Sequence, residues 1–341
     1  MNVSEPEMLC PMRWDGRQLL LLDQRELPSR EIWLALSDFR EVAGAIRDMA
    51  VRGAPAIGIA AAWGVVLAAL TGGETAAREA LPVLAGARPT AVNLAWALER
   101  MERALAAAPA GDLATALEAE ARLIQDEDLE QNRTMAALGA AYLLPGSRVL
   151  THCNTGALAT SGIGTALGVI RQAHAEGRLM KVYATETRPW MQGTRLTIWE
   201  LSREGIPATL LTEGAAAQMM AREGIDWLIV GADRIASNGD TANKIGTYAL
   251  AVLARAHGAK VMVVAPRSTI DMRLGSGEEI PIENRPGEEI LRAAGLVEAP
   301  PGIDISNPAF DVTPAKLIDL VVTDAGVVER PSSEAMRKRF S

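Results

Sequence analysis

Aromatic residues are scarce in this sequence, making up 4% of it, although apolar residues make up 49%. With so few rings the interior must be built from Ala, Leu, Val and Ile, which suits helices packed closely on a parallel sheet. Cysteine is almost missing as well. Cys10 and Cys153 are far apart and form no CxxC pair, so neither a disulfide framework nor a structural zinc site is expected. Three histidines are too few for a dedicated metal centre without carboxylate help, and no carboxylate spacing supplies it, so no metal is expected. No run of Lys or Arg forms a basic stripe and the formal net charge is -8, which argues against nucleic acid as a partner. A secretory signal would need a basic end and an apolar run where the chain has Glu5, Glu7 and Asp15, so a cytoplasmic protein is expected. The uncharged stretch 54–70 approaches spanning length, but it is rich in Ala and Gly and opens with Pro55. It reads as a buried core helix, with no membrane partner expected.

What is present is enough apolar material for two cores, and 341 residues exceed the size at which one core stops growing. Short alternating segments at 12–14, 19–22 and 32–36 predict a small antiparallel meander. Helical periodicity follows at 38–49, 55–70, 74–84, 91–107 and 112–144. From Pro145 onward, short β-branched runs alternate with helical stretches, the pattern of βαβ units. Strands are predicted at 148–152, 181–185, 208–211, 227–230, 260–264 and 320–322, with helices at 164–176, 192–204, 215–222 and 243–256. The fold class is therefore α/β: residues 1–144 form a meander plus helical domain, and 145–341 a Rossmann-like domain around a parallel sheet.

In an open parallel sheet, ligands bind beyond the carboxyl ends of the strands. The residues there are polar: Cys153-Asn154-Thr155-Gly156, Glu186-Thr187-Arg188, Gly231-Ala232-Asp233-Arg234 and Pro266-Arg267-Ser268. Gly156, Gly162 and Gly164 follow a strand and precede a helix, but their spacing is not that of a dinucleotide fingerprint. They serve either close approach to a small ligand or plain turn and helix packing. Cys153 is either a reactive thiol or a small buried hydrophobe, and period-two geometry turns the neighbouring His152 to the opposite face. Asp233 is either an acid or a turn residue paired with Arg234. Asn243 and Lys244 are expected to open a helix, where backbone N–H groups and a cation suit a phosphate or a sugar hydroxyl. A second anion site is readable at Arg52-Gly53-Ala54-Pro55, where a helix start and a guanidinium coincide, although an ordinary helix start with a solvated arginine explains it equally well.

Long segments carry a resemblance: LLDQRELP (21–28), VRGAPAIG (51–58), RPTAVNL (88–94), HCNTGALAT (152–160), ETRPWMQGTRLT (186–197), GADRIASNGDTANKIGTY (231–248), IPIENR (280–285) and NPAFDVTPAKLI (307–318). Taken together they resemble the methylthioribose-1-phosphate isomerases over nearly the whole chain. The resemblance implies an aldose–ketose isomerase of a sugar 1-phosphate in methionine salvage, with Cys153 and Asp233 as the catalytic pair. It implies substrate contacts from Arg52, Gly53, Ala54, Arg88, Gln192, Asn243 and Lys244, no metal or organic cofactor, and a homodimer. The same superfamily contains ribose-1,5-bisphosphate isomerases and non-catalytic regulatory subunits of a translation-factor exchange complex, in which the catalytic pair is not retained. One departure is LTEGAAA at 211–217, where the family pattern has an Asp-Asn pair near Glu213-Gly214.

Overall fold

The computed structural model describes residues 9–88, 92–109, 111–292 and 295–340. Pro89, Thr90 and Ala91 of the segment 88–94 therefore lie outside the described residues. The chain packs as two compact units. One runs up to Thr134 and also takes in Thr155–Gly168; the other comprises Met135–Asn154 and Val169 onward. The change of composition lies at 144/145, whereas this division falls inside the helix Leu113–Ala140.

The first unit opens with the antiparallel meander β1 (Met12–Trp14), β2 (Leu19–Leu22) and β3 (Trp33–Leu36). Helix α1 (Phe39–Arg47) begins at Asp38, whose side chain accepts the Arg40 N–H while Glu41 reaches back to the Asp38 N–H, a reciprocal cap. Helix α2 (Ala54–Ala85) is long and apolar enough to cross a membrane, yet Ala56 through Ala69 are all buried inside this unit. At Gly72 and Gly73 the backbone leaves helical geometry, Gly73 with φ 64°, which separates the two helical runs that the periodicity predicts. Helices α3 (Val92–Ala107) and α4 (Leu113–Ala140) follow.

Residues 155–168 fold back on themselves. Gly164 has φ +88°, and a Cβ there would lie 2.5 Å from Gly156 Cα, so these two glycines serve turn packing.

The second unit is built on a seven-stranded sheet. After β4 (Ser147–Thr151) the chain runs through α5 (Ala166–Ala175) to β5 (Leu179–Thr185), then α6 (Ile198–Arg203), β6 (Ala208–Leu211), α7 (Ala216–Met219) and β7 (Trp227–Val230). A hairpin, β8 (Arg234–Ala236) and β9 (Thr241–Lys244), leads into α8 (Thr247–His257) and β10 (Lys260–Val264). Beyond β11 (Ile270–Asp271) and α9 (Glu288–Arg292) come β12 (Phe310–Thr313), β13 (Leu320–Thr323), β14 (Gly326–Glu329) and α10 (Ser333–Phe340).

The order across the main sheet is β14-β13-β10-β7-β4-β5-β6, parallel except for the β14 edge. Taken in chain order, the parallel strands give the Rossmann order 3-2-1-4-5-6. Every residue of β7 is buried, as expected for a strand covered on both faces.

The predicted parallel strands are all present. Two features are corrections to the sequence reading. A separate four-stranded sheet, β11-β8-β9-β12, occupies a region read as loop and helix. The helix expected from Asn243 starts only at Thr247, because Thr241–Lys244 pair with Phe310–Thr313 and Gly246, at φ +103°, turns the chain into α8.

Gly193 shows how closely the segment after β5 lies on its strand. A Cβ at 193 would fall 1.6 Å from the Thr185 carbonyl oxygen, and the Gly193 and Thr194 N–H groups both donate to Glu186 O. Gly193→Ala is predicted to destabilise the protein by about 3 kcal/mol, since overpacking against fixed backbone has no cheap relaxation. An unchanged midpoint in calorimetric melting would contradict this.

Candidate active site

Reversal of winding fixes where a ligand site can form in the second unit. From β4 the chain moves to one side through β5 and β6, then crosses back to β7 on the other side of β4. The loops leaving β4 and β7 therefore diverge from neighbouring strands about 4.8 Å apart, the switch point at which open α/β sheets bind ligands. Thr151 of β4 pairs with Ile229 of β7. Cys153 lies two residues beyond β4, and Asp233 three residues beyond β7.

Cys153 is 5% exposed and has φ 65°, in the left-handed region that side chains disfavour. Its N–H donates to Thr187 Oγ1 at 2.9 Å, and its carbonyl accepts the Thr197 hydroxyl at 2.6 Å. Asn154 Nδ2 donates to Glu200 Oε1 at 2.7 Å, and Glu200, fully buried, is paired through its other oxygen with Arg171 at 2.7 Å. Arg171 also grips Glu204 through Nε and Nη2, at 2.6 and 2.7 Å. The loop after β4 is thus held on both sides of the thiol. Cys153 is a thiol outside any disulfide, as is Cys10.

His152 does not face the thiol chemistry. It is fully buried, with Nδ1 2.7 Å from Thr185 Oγ1 and Nε2 2.8 Å from Ile245 O. Burial holds its pKa down to about 4, so the ring is neutral near pH 7, and Glu213 Oε1 at 3.7 Å is no ion-pair partner.

Asp233 is half-buried, and its N–H donates to Ala242 O at 2.9 Å, joining it to β9. Asn243, 2% exposed, donates to Thr247 Oγ1 at 2.9 Å. The Lys244 ammonium donates to Ala309 O at 2.9 Å and lies 4.1 Å from the Phe310 ring centroid. Both residues end a strand rather than start a helix. Moreover, the N-terminus of α8 already holds an anion of the protein's own: Asp311 accepts the Gly246 and Tyr248 N–H groups at 2.8 and 3.1 Å. Burial raises the Asp311 pKa to about 6. That helix end is accordingly not the open phosphate cradle read from the sequence.

Gln192 is 5% exposed, and its Oε1 is buried with no hydrogen-bond donor. Leaving such an acceptor unmet costs about 1–3 kcal/mol, which a ligand hydroxyl would relieve. In the first unit, Arg52 is buried, Gly53 caps α2 with φ 94°, Ala54 is the first helical residue, and Arg88 is half-buried. A Cβ at Gly53 would lie 2.5 Å from Ala159 Cβ, so glycine is required there by close packing.

The sequence reading missed Thr187 and Thr197 as supports of Cys153, and Asp311 as the cap of α8. Their signal is weak, since a threonine after a strand or an aspartate within one is ordinary. Glu213, noted as a departure, accepts the Arg188 N–H at 3.1 Å, and burial raises its pKa.

Comparison with known proteins fits this geometry. Residues 50–330 match the sequence model of the Initiation factor 2 subunit family. A methylthioribose-1-phosphate isomerase of Thioalkalivibrio sulfidiphilus is 59% identical over 329 residues, covering 95% of this chain and 94% of that protein. The crystal structure of 5-methylthioribose 1-phosphate isomerase from Pyrococcus horikoshii superposes with a TM-score of 0.92 at 43% identity, covering 99% of this chain and 98% of that one. The structure of translation initiation factor eIF-2B subunit delta from A. fulgidus gives 0.87 at 38% identity, covering 96% and 99%.

A pH dependence follows from His152. The unfolded chain takes up a proton as pH falls through 6.5, the folded chain not until about 4, so this contribution is complete above 6.5 and lost between the two. Asp311 acts oppositely: its folded pKa of about 6 exceeds the ordinary 3.8, so its contribution is full below 3.8 and lost as pH rises through 6. Wild type alone will show a partly cancelled slope. The stability difference between wild type and His152→Gln is predicted to shrink by up to about 3 kcal/mol between pH 7 and pH 4 in urea unfolding. A difference that stays constant would contradict a neutral buried His152.

Proposed function

The chain belongs to the Initiation factor 2 subunit family, and we propose that it is a methylthioribose-1-phosphate isomerase, converting the aldose 5-methylthioribose 1-phosphate into the ketose 5-methylthioribulose 1-phosphate in methionine salvage. The observation that carries the reading is a thiol and a carboxyl beyond the ends of adjacent parallel strands at the switch point of the sheet. A regulatory, non-catalytic role is the second reading, favoured by the likeness to eIF-2B subunit delta. The presence of both Cys153 and Asp233 supports the enzyme.

The phosphate on C1 blocks spontaneous opening of the furanose, so an acid must protonate the ring oxygen. Asp233 is that acid in this proposal, which requires its carboxyl to be protonated when the substrate binds. Hydrogen then moves from C2 to C1. Either the Cys153 thiolate takes the C2 proton and an enolate is reprotonated at C1, or a hydride shifts directly while Cys153 shields the intermediate. Both routes are redox-neutral within the sugar, so neither calls for a metal or organic cofactor.

Gln192, Asn243 and Lys244 are proposed as substrate contacts, as are Arg52, Gly53, Ala54 and Arg88. The chemistry is assigned to residues 145–341. A 5-deoxyribose 1-phosphate is proposed as a further substrate, because losing a small apolar tail changes discrimination only weakly. The protein is proposed to work as a cytoplasmic homodimer, without nucleic-acid or membrane partners.

Incubation with methylthioribose 1-phosphate, followed by NMR, is expected to show the ketose; no turnover under any condition that preserves substrate binding would leave the regulatory reading. Asp233→Asn is predicted to lower kcat by roughly 100-fold or more while substrate binding stays measurable by calorimetry. Near-normal turnover would remove Asp233 from the acid role. In heavy water, deuterium at C1 of the product would exclude a pure hydride shift.

A further inference from the structure

Cys153 occupies a conformation that its own backbone does not favour, with φ 65°, inside a loop that is almost wholly buried. Its peptide N–H is held by Thr187 Oγ1 at 2.9 Å. Thr187 Oγ1 is 2.9 Å from Thr185 Oγ1, which is 2.7 Å from His152 Nδ1, and His152 Nε2 is 2.8 Å from Ile245 O.

The acceptor at one end of this chain orders its protons. The Ile245 carbonyl can only accept, so Nε2 of a neutral ring carries the proton and Nδ1 is bare. Thr185 then donates to Nδ1 and Cys153 N–H to Thr187 Oγ1, while the Thr187 proton is directed to Thr185 Oγ1 at 2.9 Å with the Thr185 carbonyl at 3.3 Å as its second acceptor. Each threonine hydroxyl has one proton to give toward the ring and lone pairs that accept from the residue before it.

We propose that Thr187, Thr185 and His152 are positioning residues that hold the Cys153 thiol in place and tie it to the turn following Asn243 and Lys244. This rests on the reading of Cys153 as catalytic. The tie is direct, because Ile245 follows Lys244, and the turn packs on the ring: a Cβ at Gly246 would lie 3.1 Å from His152 Cε1. The histidine beside the thiol in sequence is thus not its base. Its ring spans from the strand end that presents the thiol to the strand end that presents the lysine, and a change at any link displaces one end relative to the other.

Thr187→Val keeps shape and removes the hydroxyl, whereas Thr187→Ser keeps the hydroxyl. With methylthioribose 1-phosphate as substrate, Thr187→Val is expected to lower kcat by roughly tenfold or more, with KM within about threefold, and Thr187→Ser to stay within about threefold of wild type in both. A Val variant with wild-type kcat, or a Ser variant as impaired as Val, overturns the proposal. Should Thr187→Val fail to fold, the wild-type protein decides through ¹⁵N NMR of its three histidines at pH 7. A His152 ring protonated at Nε2 alone is expected; protonation at Nδ1 overturns the chain. Cys153→Ala separates the two readings. If it is fully active, the catalytic role of Cys153 fails; if it is inactive while Thr187→Val is normal, only the positioning role fails.

Discussion

The side-by-side placement of β4 and β7 is the constraint on which the second unit depends. Parallel strands need crossovers, crossovers share one hand, and so a chain that winds outward from β4 in both directions must open a gap where its loops part. Nothing chemical is required for that gap to exist. Side chains carried by the two loops decide what the gap can do; here one loop carries a thiol and the other a carboxyl, the proposed catalytic pair. The likeness to both an isomerase and a translation-factor subunit fits a scaffold that sets the location of a site and leaves its chemistry to the loops.

Much of this was legible in the sequence for a physical reason. Strands covered on both faces must be nearly continuous apolar runs, and WLIV at 227–230 or VMVV at 261–264 can hardly be anything else in a chain of alternating helices. Cys153 and Asp233 stood out because polar residues immediately after such runs sit where ligands go. The second sheet was hidden for the converse reason. Its strands, RIA, TANK and FDVT among them, are two to four residues long and lack an apolar signature, and the pairing of TANK with FDVT crosses more than sixty residues of sequence. The Asn238-Gly239 turn of the β8–β9 hairpin was the available clue, with Gly239 at φ +89°.

Asn243 and Lys244 show how a local reading can place residues on the wrong element. Helical periodicity extends back through them from α8, but the ladder with β12 holds them extended, and Gly246 makes the turn three residues later than expected. The same strand β12 supplies Asp311, whose carboxylate fills the helix end that a phosphate was expected to use. Non-local pairing therefore both moved the helix and occupied its terminus.

The left-handed geometry at position 153 has an implication for how the chain tolerates change. An L-residue in that region gives up about 1–2 kcal/mol that glycine would not. Folding, considered alone, prefers a residue without a side chain at the very point where the sulfur stands. Substitution at this codon should therefore be able to produce sturdier proteins that have lost the thiol, and the catalytic role proposed for the sulfur would set a local cost in folding against a gain in function.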